Sequence, residues 1–303
     1  TVFRLTPAGA LTRLYSFSGS DGATPYGGLI QGRDGNFYGT TQVGGTSGVG
    51  TVYQITPSGQ LTTLHSFNTT DGAYPWSRLI QGSDGNFYGT TTKGGASGAG
   101  TVFQITASGT LSVLYSFINA DDGARPYASL MQSSDGNFYG TANEGGLIGA
   151  GTVFQLTPAG ALTTLHSFSG DTDGGNPWAN IIQTADGSFY GTTYSGGGGA
   201  SGTVFKLQLP SGPAAPTALT ATLQSRGTAL LSWNAPAAGT ISYNVYQGAS
   251  TGQESATPVL TGITTTTATL KGLRKRQTYC FTVAGVNASG AGLPSNEACI
   301  SGK

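Results

Sequence analysis

Apolar and polar positions alternate in short runs over the first two thirds of the chain, and the runs return every 50 to 51 residues. Within one period "RLIQ" reads as a strand, and "SDG" as a tight turn whose Asp-Gly pair suits positive φ. "NFYGTT" is the next strand. After a glycine-rich loop come "TVYQIT", the turn "PSG" and "LTTLHSF". Four strands of four to seven residues, joined mostly by hairpins, match one propeller blade, and the period belongs to propellers and related repeat folds. The strands are labelled A to D, starting from "LIQ".

"TVFRL", "TVYQI", "TVFQI", "TVFQL" and "TVFKL" begin at residues 1, 51, 101, 152 and 203, so there are five C strands. A–B hairpins and D strands number four each. The N-terminal C–D pair could close the last A–B hairpin into a blade, with one C strand left over. A fragment of a longer ring, or two copies sharing one, fits the count equally. Open edges of this kind invite self-association. The A–B phrase "QGSDGNFYGTT" places Asp84 and Gly85 in the turn, Phe87 and Tyr88 in strand packing, and Gly89 at a close approach or bulge. Asp34, Asp135 and Asp186 repeat the turn aspartate. Such a set has the look of a metal or catalytic group, but Asp in a turn accepts hydrogen bonds from its own backbone, and that reading is preferred.

From Gly212 the pattern changes. A Pro- and Ala-rich linker at 210–216 leads into short alternating strands over 217–303, which read as a β-sandwich. Trp233 is expected in its core, Tyr279 is placed like a tyrosine corner, and Cys280 and Cys299 are expected to form a disulfide joining the last two strands. The repeat domain is set at 1–209. Overall the fold class is all-β: a β-propeller-like array of four-stranded blades, about four in number, followed by the sandwich.

Only 9% of residues are charged, against roughly 25% in ordinary soluble domains. Net charge is zero, with no basic stripe, so nucleic acid is excluded as a partner. No apolar run approaches the roughly 18 residues of a membrane span. The first residues already belong to the repeat, which reads as a removed leader or an excised segment. Abundant Thr, Ser, Gly and aromatics suggest a secreted, extracellular or cell-surface protein. "NTT" at Asn68 and "NAS" at Asn287 are glycosylation sequons.

Two resemblances add to this. The segment from Trp233 through "LKGLRKRQTYCFTVAGVNASGAGLPSN" resembles a bacterial fibronectin type III domain, which implies a spacer or adhesion accessory. The repeat "GTVFQLTPAGALTTLHSFSG…LIQTADGSFYGTT" is similar to the GloVer-type tandem repeat of bacterial exported proteins, named for Gloeobacter and Verrucomicrobia. That resemblance implies export and surface or matrix association, and no reaction. "SDGNFYG" lacks the order of the Asp-box, so no sialidase chemistry is carried across.

Blade topology puts the short A–B and C–D turns on one face and the long B–C and D–A loops on the other, where binding usually resides. Each D–A loop carries a Pro-aromatic pair that ends in Tyr26, Trp76, Tyr127 or Trp178. These rings suit stacking on sugar faces, with Arg78 and Arg125 as hydrogen-bond donors. The competing reading makes each ring a plug under its own loop, because repetition is what folding requires. Asp122 and Glu144 are the catalytic candidates, and Asp171 with Asp173 resembles the start of a calcium loop without its closing ligands. His65 and His166 occupy the positions of Tyr15 and Tyr115 in sister repeats, so they read as blade residues. The function expected is non-enzymatic binding or structural attachment to polysaccharide or a cell-surface glycan. The alternative is a polysaccharide-degrading hydrolase or lyase with an accessory fibronectin-like domain.

Overall fold

The structure, a computed structural model, describes all residues except 134, 210, 211, 225, 226, 237–239, 241, 252, 253, 256, 288, 289 and 303, and the backbone alone of 293. The chain divides into two compact units, Thr1–Gln208 and Leu209–Lys303. Residues 212–216 of the expected linker fall in the second unit, and 210 and 211 lie outside the described residues.

The first unit is a series of antiparallel sheets. β1 (Val2–Leu5) pairs with β2 (Leu11–Tyr15). Three sheets of four strands follow. They are β3 (Ile30–Gln31), β4 (Phe37–Thr41), β5 (Thr51–Ile55) and β6 (Leu61–Ser66); then β7 (Ile80–Gln81), β8 (Phe87–Thr91), β9 (Thr101–Ile105) and β10 (Leu111–Ser116); then β11 (Met131–Gln132), β12 (Phe138–Ala142), β13 (Thr152–Leu156) and β14 (Leu162–Ser167). β15 (Ile182–Gln183), β16 (Phe189–Thr193) and β17 (Thr203–Leu207) form the last sheet. Repeats one to four are named for these last four sheets, each with the loop that precedes it. The expected A, B, C and D strands are present, but A shrinks to two residues. Beyond Ile80 its neighbour takes side-chain bonds instead: Thr90 Oγ1 meets Ser77 Oγ at 3.0 Å.

β1 does not close the last sheet. The edge of β16 that it would need is held by β17 in five registered pairs, from Phe189–Leu207 to Thr193–Thr203. Each D strand carries one extra residue opposite its C strand, at Leu14, Leu64, Leu114 and Leu165. The bulge is therefore in D. Pairing at Gly89, opposite Phe103, is regular.

Repeats pack in sequence through aromatic rings. Tyr38 stacks on Phe87 with centroids 3.9 Å apart, and Tyr88 and Tyr139 lie tilted against Phe138 and Phe189 at 4.2 and 4.5 Å. A second row sets Phe67 edge-on to Phe103, Phe117 to Phe154 and Phe168 to Phe205. At both ends of the series the corresponding residues are bare. Phe3 is 58% exposed although Tyr53, Phe103 and Phe154 are buried, and Val204 is 79% exposed although Val52, Val102 and Val153 are buried.

The second unit is a two-sheet sandwich. β18 (Thr217–Gln224), β19 (Thr228–Asn234) and β22 (Thr267–Lys271) form one sheet; β20 (Ser242–Gly248), β21 (Leu260–Ile263), β23 (Thr278–Asn287), β24 (Gly290–Pro294) and β25 (Ala298–Ser301) form the other. Trp233 packs in the core with Leu231, Val245 and Phe281. The Tyr279 hydroxyl accepts the Arg274 N–H at 2.9 Å, five residues upstream, as a tyrosine corner does. Cys280 and Cys299, directly opposed on β23 and β25, form the disulfide. No helix among the described residues is long and apolar enough to cross a membrane.

Candidate functional site

The long-loop face is built from two loops per repeat that are stitched together. Isolated backbone bridges join Ala23 to Val43, Ala73 to Lys93, Ala124 to Glu144 and Gly175 to Ser195. The next D–A residue donates its N–H backwards to the previous B–C loop: Tyr74 to Val49 O at 2.8 Å, Arg125 to Ala99 O at 2.9 Å, Asn176 to Ala150 O at 2.7 Å. Tyr74, Arg125 and Asn176, held from both sides, adopt φ of 57°, 51° and 53°, and Thr24, whose carbonyl accepts from Gln42 N at 3.0 Å, adopts 57°. Non-glycine residues reach that region only at a cost, and such strain persists where the surroundings over-determine it. Each stands directly before the proline of its repeat, so this shared conformation sets the launch angle of the Pro-aromatic pair.

The four rings come together as one row. Tyr26 stacks on Trp76 with centroids 4.4 Å apart and planes 15° apart, and Tyr127 on Trp178 at 4.6 Å and 4°. Between these pairs Trp76 meets Tyr127 at 5.6 Å and 88°. Stacked faces cover one another, but the perpendicular junction does not. Beside it lies a groove of about 210 Å³, lined by Gln42, Tyr74, Trp76, Thr92, Lys93 and Tyr127. Tyr74 and Lys93 also border an adjoining hollow of about 530 Å³ that reaches Thr69 and Thr70. The outer rings stay accessible, Tyr26 at 58% and Trp178 at 47%.

Behind the row, one pair of side chains changes chemistry from repeat to repeat. It is Thr24 with Val43 in repeat one. In repeat two Lys93 Nζ lies 5.7 Å over the Tyr74 ring. In repeat three Arg125 Nη1 bonds Glu144 Oε1 at 2.9 Å, and in repeat four Ser195 Oγ donates to Asn176 Oδ1 at 2.9 Å. Tyr74, Lys93 and Gln42 were not singled out by sequence reasoning. Their signal was positional: variable residues at fixed offsets from an invariant Pro-aromatic pair.

The other candidates are dispersed. Arg78 borders a cavity of about 620 Å³ along the A strands, with Arg33 and Gln132, and does not line the aromatic groove. Glu144 is ion-paired to Arg125. Asp122 is buried and accepts from Tyr115 Oη at 3.1 Å, Ile118 N at 2.8 Å and Ala120 N at 3.2 Å. It belongs to a repeated device: Asp21 accepts from Tyr15, Asp71 from His65 at 2.9 Å and Asp173 from His166 at 2.9 Å. Asp173 also accepts from Ser169, while Asp171 is exposed. Cys280, Glu297 and Cys299 cluster within 4.8 Å, but the sulfurs are bonded to each other and neither is a thiolate ligand. Asn68 Nδ2 is committed to Asp71 Oδ2 at 2.8 Å, and Ala288 and Ser289 of the second sequon lie outside the described residues.

The turn aspartates form a third repeated network. Tyr88 donates to Asp84 Oδ2 at 2.7 Å, Asn86 Nδ2 donates to the same oxygen at 2.7 Å, and Gln104 Nε2 donates to the Tyr88 hydroxyl at 2.8 Å. Asp34 with Tyr38 and Gln54, and Asp135 with Tyr139 and Gln155, repeat it. Partial burial pulls these three carboxyls up, but the tyrosine and asparagine bonds outweigh it and hold them below their ordinary value. Burial, reinforced by the same bonds, pushes Tyr38 and Tyr88 up to about 12.

Residues 107–229 match the Gloeobacter/Verrucomicrobia repeat, and residues 214–300 match the fibronectin type III domain. No curated protein matches the chain. Among solved structures, a Fn3-like protein from Clostridium thermocellum is 37% identical over 31% of this chain and 96% of its own, with a TM-score of 0.28. Titin kinase with its flanking domains is 25% identical over 31% of this chain and 18% of its own, with a TM-score of 0.28. A domain of human fibronectin type III domain containing protein 3 is 26% identical over 31% and 88%, with a TM-score of 0.27. The chain carries a Gloeobacter/Verrucomicrobia tandem-repeat region followed by a fibronectin type III domain.

Proposed function

We propose that this chain is an exported, non-enzymatic binding protein, that its repeats are propeller-type blades, and that the long-loop face engages glycans. The observation that carries this reading is the groove of about 210 Å³ at the perpendicular junction of Trp76 and Tyr127, with Gln42 and Lys93 at its border. Aromatic walls with a few polar groups suit the apolar faces and hydroxyl edges of sugars. The disulfide fits an oxidising compartment. The acids that a hydrolase or lyase would draw on are engaged elsewhere, Asp122 by the D–A loop and Glu144 by Arg125.

A glycan array, followed by chain-length analysis of any bound polymer, tests this. Binding without shortening is expected, weakened about tenfold in Trp76→Ala, which is roughly 1.4 kcal/mol of lost stacking. Shortening of the polymer that disappears in Glu144→Gln would establish the enzyme instead. A further proposal, self-association of copies through the two bare ends of the sheet series, is favoured by the exposure of Phe3 and Val204.

A further inference from the structure

Repeat two differs from its sisters in one respect that bears on ligand choice. The position bridged to the D–A loop holds Val43, Lys93, Glu144 or Ser195, so repeat two alone among the four sets a cation there. The ion pairs among the described residues are His65–Asp71, Arg125–Glu144, His166–Asp173 and Lys206–Asp186, and they leave Lys93 without a carboxylate partner. Glu144, the one acid at an equivalent position, is neutralised by Arg125 at 2.9 Å. Asp71, the acid of the same D–A loop, is turned to His65 and to Asn68 N and lines neither hollow.

Lys93 is exposed, yet it is not a loose surface lysine. Its ammonium lies 5.7 Å over the Tyr74 ring, and its backbone is bridged to Ala73. Tyr74 is fixed in turn by its bond to Val49 O and by a positive φ of 57°. Both residues border the Trp76–Tyr127 groove on one side and the Thr69–Thr70 hollow on the other. A cation shared by two hollows, beside aromatic walls, suits a polymer that sets pyranose rings on the aromatics and a carboxylate against the ammonium.

Resting on the glycan-binding reading above, we propose that repeat two selects acidic polysaccharides, of the uronate class, and that Lys93 is the selectivity residue. The aromatics supply affinity for any suitably sized sugar. Lys93 supplies the preference for the charged one. An exposed charge pair contributes modestly, so the preference amounts to about fivefold at low salt and shrinks as ionic strength rises.

The experiment titrates the whole chain with hexamers of galacturonate, mannuronate and glucuronate, each beside its methyl ester, which keeps the sugar and removes the charge. The expected result is at least one acidic hexamer bound about fivefold tighter than its ester. Lys93→Gln should erase that difference, Lys93→Arg should retain it, and Trp76→Ala should weaken both members of the pair. Equal affinity for acid and ester, or a preference that survives Lys93→Gln, overturns the selectivity while glycan binding stands. No binding of any hexamer or ester overturns both readings. Polyglutamate bound as tightly as the best uronate, with the same loss in Lys93→Gln, overturns the assignment to glycans and gives the site to acidic peptides.

Discussion

At Gly89 there is no room for a side chain. A Cβ there would lie 2.6 Å from Phe103 Cζ and 2.8 Å from Leu79 Cδ2, and neither of those residues is exposed. At Gly85 there is open space, but φ is +88°. Alanine at either site should cost about 1–3 kcal/mol, by overpacking at the first and by backbone strain at the second. The two causes separate in the background of Phe103→Leu: the Gly89→Ala penalty in urea unfolding should shrink there, and the Gly85→Ala penalty should not. Equal penalties for Gly89→Ala in both backgrounds would show that the ring is not the obstacle. The Asp84-Gly85 turn was legible in the sequence because its chemistry is local. The positive φ at Thr24, Tyr74, Arg125 and Asn176 was not, since these four share no side-chain property. Tyr74, Arg125 and Asn176 are held by bonds to the preceding repeat, which a single period does not spell out, whereas Thr24 reaches the same φ of 57° without one, and what the four share is the proline that follows.

The element scale is where the A–B hairpins and their tyrosine networks act. Strand identities and order were readable from alternation and period, whereas the shortness of A and the bulge in D depend on partners that a single period does not reveal. The link from Asp84 to Gln104 spans twenty residues and is visible only when Asp34 and Gln54 are set beside it. Its consequence is a stability plateau with two edges. The Asp34, Asp84 and Asp135 carboxyls are held below their ordinary 3.8, so their contribution is full above that value and lost as pH falls through the folded values. Tyr38 and Tyr88, raised from 10.0 to about 12, contribute fully below pH 10.0 and lose that contribution as pH climbs through about 12. Melting temperature should therefore fall below about pH 4 and above about pH 10. The combined Asp34→Asn, Asp84→Asn and Asp135→Asn variant should show a shallower acid limb. Asp21, Asp173 and Asp186, also held low, keep it from vanishing. An acid limb of unchanged steepness would remove the turn networks from this role.

For the whole molecule, the decisive feature is that the two ends of the sheet series differ. One end presents Phe3, Leu5 and Leu11; the other presents Ile182, Tyr194 and Val204, with the outer edge of β17 unpaired by any described strand. With 9% of residues charged, little electrostatic repulsion keeps such surfaces apart. The sequence signalled this through its uneven strand count. It did not settle whether β1 or β17 holds β16, because "TVFRL" and "TVFKL" offer that edge nearly the same chemistry. If copies associate by joining unlike ends, the contact is heterologous, and growth does not stop at two. Light scattering over a range of concentrations should then show a mass that climbs past the dimer. Val204→Lys and Phe3→Lys, both at exposed positions where folding is spared, should each lower it, and mixing the two variants should not restore growth beyond a dimer, because each lacks one end. A constant monomer mass at every concentration would defeat the proposal. A mass that stops at the dimer in the unmodified chain would replace head-to-tail joining with a like-to-like contact.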